Sequence, residues 1–155
     1  MAVKDKVVLI GGAIIYRRLK GENPMWFVTK TRDQKEWEIP KTVIRRGESS
    51  VRGVIRMMSE QGGLRAKVLE EVGRSGGATK INDKPVTQRT IYYLMLAKGQ
   101  DNVIGFEDVD WLPYPKAHKK LSKRDQNMLE TAKEMLKEID RNRKARKKRE
   151  AAALK

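Results

Sequence analysis

From Lys6 to Tyr16 the chain reads KVVLIGGAIIY, an apolar and largely β-branched run of the kind that forms a buried strand. Its Gly11–Gly12 pair marks a bend or the close approach of another group. Met25 to Thr31 (MWFVTKT) predicts a second strand, the antiparallel partner of the first across the polar turn Arg17–Pro24. A charged loop, Lys30 to Trp37, follows, and Glu38-Ile39-Pro40 ends a short extended piece. Ala66–Gly73 and Gln88–Ala97 predict two more strands, joined across a Gly- and Asp-containing stretch. Ile104–Leu112 predicts another, closed by Pro113 and Pro115.

Two helices break this strand pattern. In Ser49–Gln61, Val51, Val54, Ile55 and Met58 recur at i, i+3, i+4 and i+7 and make one apolar stripe. Ser49 or Ser50 caps its start and Gly62-Gly63 stops it. Gly53 inside it costs about 1 kcal/mol against Ala, which points to close packing there. Ser122 caps a longer helix on which Met128, Leu129, Ala132, Met135, Leu136 and Ile139 hold helical spacing. The order strands, helix, strands, helix predicts an α/β layered domain.

The 155 residues are 39% hydrophobic, enough for the core of one ordinary domain. Thirty-five Lys+Arg against twenty Asp+Glu give a formal charge of +15, which favours polyanionic partners: nucleic acid, phosphorylated small molecules or an acidic surface. The longest apolar run, Val7–Ile15, is too short to cross a bilayer, and no apolar signal stretch follows the basic start. A cytoplasmic protein with no membrane partner is expected. Without cysteine, disulfides, thiolate zinc sites and cysteine nucleophiles are excluded. His118 is the only histidine, so histidine-cluster metal sites are excluded; among Lys116, Lys119 and Lys120 it is expected on the solvated surface.

The stretch Trp37–Leu64, WEIPKTVIRRGESSVRGVIRMMSEQGGL, resembles the Nudix family, whose box runs G-x5-E-x7-R-E-U-x-E-E-x-G-U with U a bulky apolar residue. By spacing, Thr42 falls on the first glycine, Glu48 on the first glutamate and Arg56 on the arginine. Met57 falls on the next glutamate, Met58 on the apolar position, Glu60 and Gln61 on the glutamate pair, and Gly63 and Leu64 on the end of the box. The resemblance covers roughly residues 6 to 137 and implies a Nudix-like α/β/α sandwich with a central mixed sheet, followed by a basic helical extension from 138 to 155.

The resemblance also implies a site. In the family, three glutamates on one helical face and a loop carbonyl hold Mg²⁺ or Mn²⁺, hard cations that need oxygen ligands, and the metals act on a diphosphate. Here the corresponding face carries Met57, Glu60 and Gln61. Methionine sulfur is a poor ligand for a hard cation. Glu48 and Arg56 match the ion pair that holds the family's loop to its helix. The implied metal ligands are the Thr42 carbonyl, Glu60 and a distal acid, Glu107 or Asp108. Thr42, being β-branched, resists the backbone angles a glycine permits. Arg32, Lys41, Arg45 and Arg46 are cations suited to substrate phosphates or to plain loop surface. Of Tyr92 and Tyr93, which alternate across a strand, one is expected in the core and the other open to stack on a base.

Lys137–Lys155 holds nine Lys+Arg against three acids. Arg141, Arg143, Lys144, Arg146, Lys147, Lys148 and Arg149 form either a solvated helix end or a contact with RNA or DNA phosphates. No aromatic residue interleaves the run, so the tail alone predicts no base stacking. Three functions stay open. One is a Nudix-derived binder of a nucleotide or of RNA, with weak or lost hydrolysis and no cofactor. The others are a working Mg²⁺- or Mn²⁺-dependent diphosphate hydrolase and a structural component of a ribonucleoprotein. Oligomeric state is not predicted.

Overall fold

The computed structural model describes residues 7–18, 21–30, 36–60, 64–81, 83–100 and 108–154. Its elements are β1 (Val7–Arg17), β2 (Met25–Lys30), β3 (Lys41–Val43), α1 (Ser50–Glu60), β4 (Leu64–Ile81), β5 (Lys84–Gln100), β6 (Asp108–Pro113), α2 (Tyr114–Lys120) and α3 (Lys123–Ala153). The six strands form one sheet in the order β4-β5-β1-β2-β6, with β3 also paired to β1. β1 and β5 run parallel and the other pairs antiparallel, so the sheet is mixed.

β1 is apolar without alternation because both of its faces are covered. Ile14 and Tyr16, with Tyr92 and Leu94 of β5, pack against Ala117 of α2 and Leu129, Ala132 and Leu136 of α3. Ala13 and Ile15, with Tyr93 and Met95, pack against Val54, Met57 and Met58 of α1. The result is the α/β/α sandwich. The glycine pair serves close approach on both faces. A Cβ on Gly11 would lie 2.6 Å from Val54 Cγ1, and one on Gly12 would lie 2.8 Å from Tyr92 Cδ1.

The segment after β2 wedges into the sheet. Glu38 exchanges backbone hydrogen bonds with Thr29 of β2, at 2.8 and 2.9 Å. Two residues on, the Pro40 carbonyl accepts from Ala13 N–H of β1 at 2.9 Å, and β3 then pairs with Gly12, Gly11 and Ile10. β1 therefore meets β2 only through Tyr16 and Arg17.

Three features depart from the pattern read in the sequence. The stretch between Gly73 and Gln88 is no loop: β4 and β5 form one long hairpin, Ile81 opposite Lys84, with Asp83 at φ +62°. Backbone pairing with a neighbour overrides the low strand propensity of its glycines. Pro113 and Pro115 do more than close a strand; they open α2, where prolines are tolerated because first-turn N–H groups lack helical partners. Ile55, placed in the apolar stripe of α1, is 42% exposed, while Met57 takes the buried place. His118 lies at the surface, partly exposed, bonded through Nε2 to Glu130 at 2.7 Å, with its ring tilted against that of Tyr114.

α3 starts at Ser122, whose hydroxyl accepts from Asp125 N–H, and runs unbroken to Ala153. From Arg141 to Leu154 every side chain is exposed. Among the described residues no helix is long and apolar enough to cross a membrane.

Gly12→Ala should destabilise the fold by about 1–3 kcal/mol, the usual cost of overpacking a filled core, since the Tyr92 ring is buried and held at its hydroxyl. Urea unfolding of parent and variant checks this; equal midpoints would mean that Tyr92 can move aside freely.

Candidate functional site

The loop between β3 and α1 is clasped onto the helix by one ion pair. Glu48 accepts from Arg56 Nε at 2.8 Å, from Arg56 Nη2 at 3.1 Å and from the Arg45 backbone N–H at 3.1 Å. Gly47, at φ +80°, makes the turn that brings Glu48 back. Ser49 caps α1 through its hydroxyl, which accepts from Arg52 N–H. Gly53 lets the clasp close: a Cβ there would stand 2.4 Å from Ile44 Cδ1 and 3.1 Å from Glu48 Oε1. The Arg56 guanidinium, aided by the Arg45 N–H, holds the Glu48 carboxyl down at about 2, and Glu48 in turn raises Arg56.

Beyond the clasp, the residues matched to the box's metal face separate. Met57 is wholly buried in the core cluster with Ala13, Phe27 and Met95. Glu60 is half-exposed, and its Oε2 lies 3.9 Å from Arg45 Nη2 and 3.8 Å from Arg56 Nη1. Thr42 sits in regular strand pairing opposite Gly11, and among the described non-glycine residues only Asp83 has positive φ. The β-branched residue is therefore accommodated without left-handed backbone. Asp108 opens β6 opposite Lys30 and is exposed. Arg32, Gln61, Gly63 and Glu107 lie outside the described residues. Among the described residues, no group of three or more His, Cys, Asp or Glu could hold a metal ion.

The three described phosphate-binding candidates, Lys41, Arg45 and Arg46, do not converge. Arg45 and Arg46 flank a cavity of about 760 Å³ with Val43, Ile44 and Lys84. Lys41 lines a different cavity, about 720 Å³, with Trp37, Gln88, Thr90, Arg124 and Asp125. This second cleft is organised by Asp125, a residue the sequence reading passed over. Its buried carboxylate accepts from Ile39 N–H at 3.1 Å, Lys41 Nζ at 2.8 Å and the Tyr92 hydroxyl at 3.0 Å. Burial, then the Asp125 charge and hydrogen bond, push the Tyr92 phenol well above its ordinary range. The signal was present: Ser122-x-x-Asp125 places an acid three residues after an N-cap, where the helix dipole favours it. Gln88 Nε2 donates to Thr90 Oγ1 at 3.3 Å on the cleft floor, and Lys120 stands 4.4 Å over the Trp37 ring at its edge. Neither tyrosine is open to stack on a base: Tyr92 is fully buried, and Tyr93 is buried with its hydroxyl against that of Ser50. The tail cations Arg141 to Arg149 are all exposed, with Arg141 paired to Glu138 and Arg146 to Glu150.

The NUDIX domain family model matches residues 10–132. The chain belongs to the Nudix family. No curated protein matches it in sequence. Among solved structures it is similar to C. elegans Ap4A hydrolase in a binary complex, at 19% identity and TM-score 0.67, over 83% of this chain and 97% of that one. It is also similar to the NUDIX domain of Shewanella oneidensis NrtR complexed with ADP ribose, at 19% identity and TM-score 0.68, over 86% and 90%. The MutT protein from Methanosarcina mazei Go1 aligns at 12% identity and TM-score 0.65, over 88% and 99%. At such identities these neighbours support the fold.

In this Nudix chain the Glu48–Arg56 clasp ties stability to pH. A folded carboxyl held near 2 against an ordinary 4.5 contributes stability at neutral pH that is lost as pH falls from about 4.5 toward 2. Thermal melts of the parent should drop across that window, and those of Glu48→Gln should drop less steeply. Parallel curves would show that the clasp adds nothing. Asp125→Ala would leave the Lys41 ammonium facing a buried carboxylate's vacated place, with the Tyr92 hydroxyl unpaired. Breaking such a pair costs roughly 3–5 kcal/mol. Chemical unfolding should show that loss, and Asp125→Asn, which keeps an acceptor, should recover part of it.

Proposed function

We propose that this Nudix-fold protein binds a nucleotide or another nucleoside-diphosphate-linked compound, with hydrolysis weak or lost. One observation carries the second half. On α1 a core methionine, Met57, replaces one family carboxylate, and the remaining glutamate, Glu60, is flanked by two guanidiniums. Those cations stand where a dication would need anionic oxygen. The described residues do not fit a three-carboxylate Mg²⁺ or Mn²⁺ centre.

Binding rests on the cleft around Asp125. Its size of about 720 Å³ suits a nucleotide. Trp37 offers a flat apolar surface, Gln88 an amide that can read a base edge, and Arg124 a fork for phosphate oxygens. The neighbouring structures' names, Ap4A hydrolase and an NrtR domain with ADP ribose, favour the same ligand class. They also favour the alternative, an active Mg²⁺- or Mn²⁺-dependent diphosphate hydrolase using Glu60 and a distal acid, Glu107 or Asp108. The exposed cations from Arg141 to Arg149 support a further role for residues 138–155 as an extension that contacts RNA phosphates, including as part of a ribonucleoprotein.

Binding of ADP-ribose and diadenosine polyphosphates, followed by calorimetry in chelator and then with Mg²⁺ or Mn²⁺, tests the proposal. Affinity should persist in chelator, and Arg124→Ala should weaken it roughly tenfold or more, as removal of a charge-assisted hydrogen bond does. Turnover at ordinary enzyme rates that Glu60→Gln abolishes would establish the hydrolase instead.

A further inference from the structure

The basic end of α3 has no aromatic residues of its own, but the fold sets it beside two. At the end of the sheet where β1 and β6 finish, a pocket of about 390 Å³ is walled by Trp26, Pro24, Pro113, Tyr114 and Leu136. A second hollow of about 440 Å³ is walled by Gly21, Arg143, Lys144 and Lys147. Arg18, Glu22 and Asp140 line both, so the two form one trough. With Lys133 and Lys137 on the rim, the described residues of its walls include six cations and two carboxylates.

The charges are unevenly used. Arg18 and Asp140 satisfy each other through two hydrogen bonds at 2.8 and 3.0 Å, and Lys137 lies 3.5 Å from Glu134. Arg143, Lys144 and Lys147 form no salt bridge with a described carboxylate. Lys133 stands 4.0 Å over the Tyr114 ring. On the floor, Trp26 is 1% exposed and its indole N–H has no hydrogen-bond partner among the described residues, a rare condition for a buried donor.

We propose that this trough binds single-stranded RNA, with one base in the Trp26–Tyr114 pocket and the flanking phosphates along Arg143, Lys144 and Lys147. The proposal rests on the reading of the tail as an RNA contact and deepens it. Unpaired bases can leave the strand and stack on an aromatic ring, here that of the partly exposed Tyr114. An acidic peptide or a lipid surface would meet the cations but leave the aromatic pocket unused. A duplex, with its bases paired, would engage only the cations.

The chain has three tryptophans, Trp26, Trp37 and Trp111, so three indole N–H resonances report separate places once Trp26→Phe assigns one of them. Titrating the full-length protein with a single-stranded RNA of about twelve nucleotides should move the Trp26 resonance and leave that of Trp37, in the Asp125 cleft, in place. ADP-ribose should do the reverse. Tyr114→Ala should weaken single-strand binding roughly 5- to 150-fold, the range for removing one base–aromatic stack, and leave duplex binding unchanged. Lys144→Ala and Lys147→Ala, each taking one cation away from the phosphates, should each flatten the logarithmic salt slope by about 0.7. A Trp26 resonance unmoved at saturating RNA, or a duplex bound as tightly as the single strand, overturns the trough. If deleting Arg141–Lys155 weakens RNA binding while Tyr114→Ala does not, the trough falls and the tail reading stands. No RNA binding by the intact chain overturns both.

Discussion

One buried carboxylate holds the two ends of this fold together. Asp125 lies in the first turn of α3, yet its three donors come from the segment before β3, from the first residue of β3 and from the middle of β5. A charge out of water is tolerated only when it is paired and hydrogen-bonded, so these elements must arrive together. The consequences spread from there. Lys41 is drawn to Asp125 by its side chain while its backbone pairs with Gly12. Gly12 has no side chain because the Tyr92 ring, which ends in the hydroxyl on Asp125, occupies that space. The lead-in to α1 is thereby wedged between β1 and β2, and the loop that carries Arg45 and Arg46 starts from a fixed point.

A second clasp, Glu48 with Arg56, then fixes where that loop meets α1. It is built at the protein's edge, with both side chains about one-seventh exposed at 15% and 14%, so the pair keeps some contact with water. Its importance is geometric as much as energetic: a bidentate guanidinium–carboxylate pair has direction. It leaves Arg56 Nη1 within reach of Glu60, and Arg45 joins from the loop. On this face the carboxylate of Glu60 is thus held by two guanidiniums, one of them already bound to Glu48.

How much of this was legible depended on the kind of residue. β1 announced itself because a run apolar on both faces can only be buried between two layers. The ends of α1 and α3 were marked by serines whose hydroxyls do cap them. The β4–β5 hairpin was half hidden, because Gly76 and Gly77 read as part of a connection while they pair across the ladder. α2 was missed because prolines suit the start of a helix as well as the end of a strand. Ile55 and Met57 exchanged places because a stripe defined at i, i+3, i+4 and i+7 tolerates a rotation of one residue. Asp125 escaped notice because a lone acid after a serine is common on solvated helices, and nothing nearby in sequence says that three donors will close over it.

The sequence by itself determined the layers and the family. Periodic apolar faces, caps and the spaced residues from Thr42 to Leu64 are local properties, and local propensity and burial suffice to express them. It also determined the excess of positive charge. Only the tertiary structure decided where that charge acts. It turned Lys41 inward to a buried carboxylate and set Arg45 beside Glu60. It also brought Arg143, Lys144 and Lys147 alongside Trp26 and Tyr114, residues far apart in the chain. Such juxtapositions depend on tertiary packing and on which buried polar groups must be satisfied, and no local pattern of sequence specifies them.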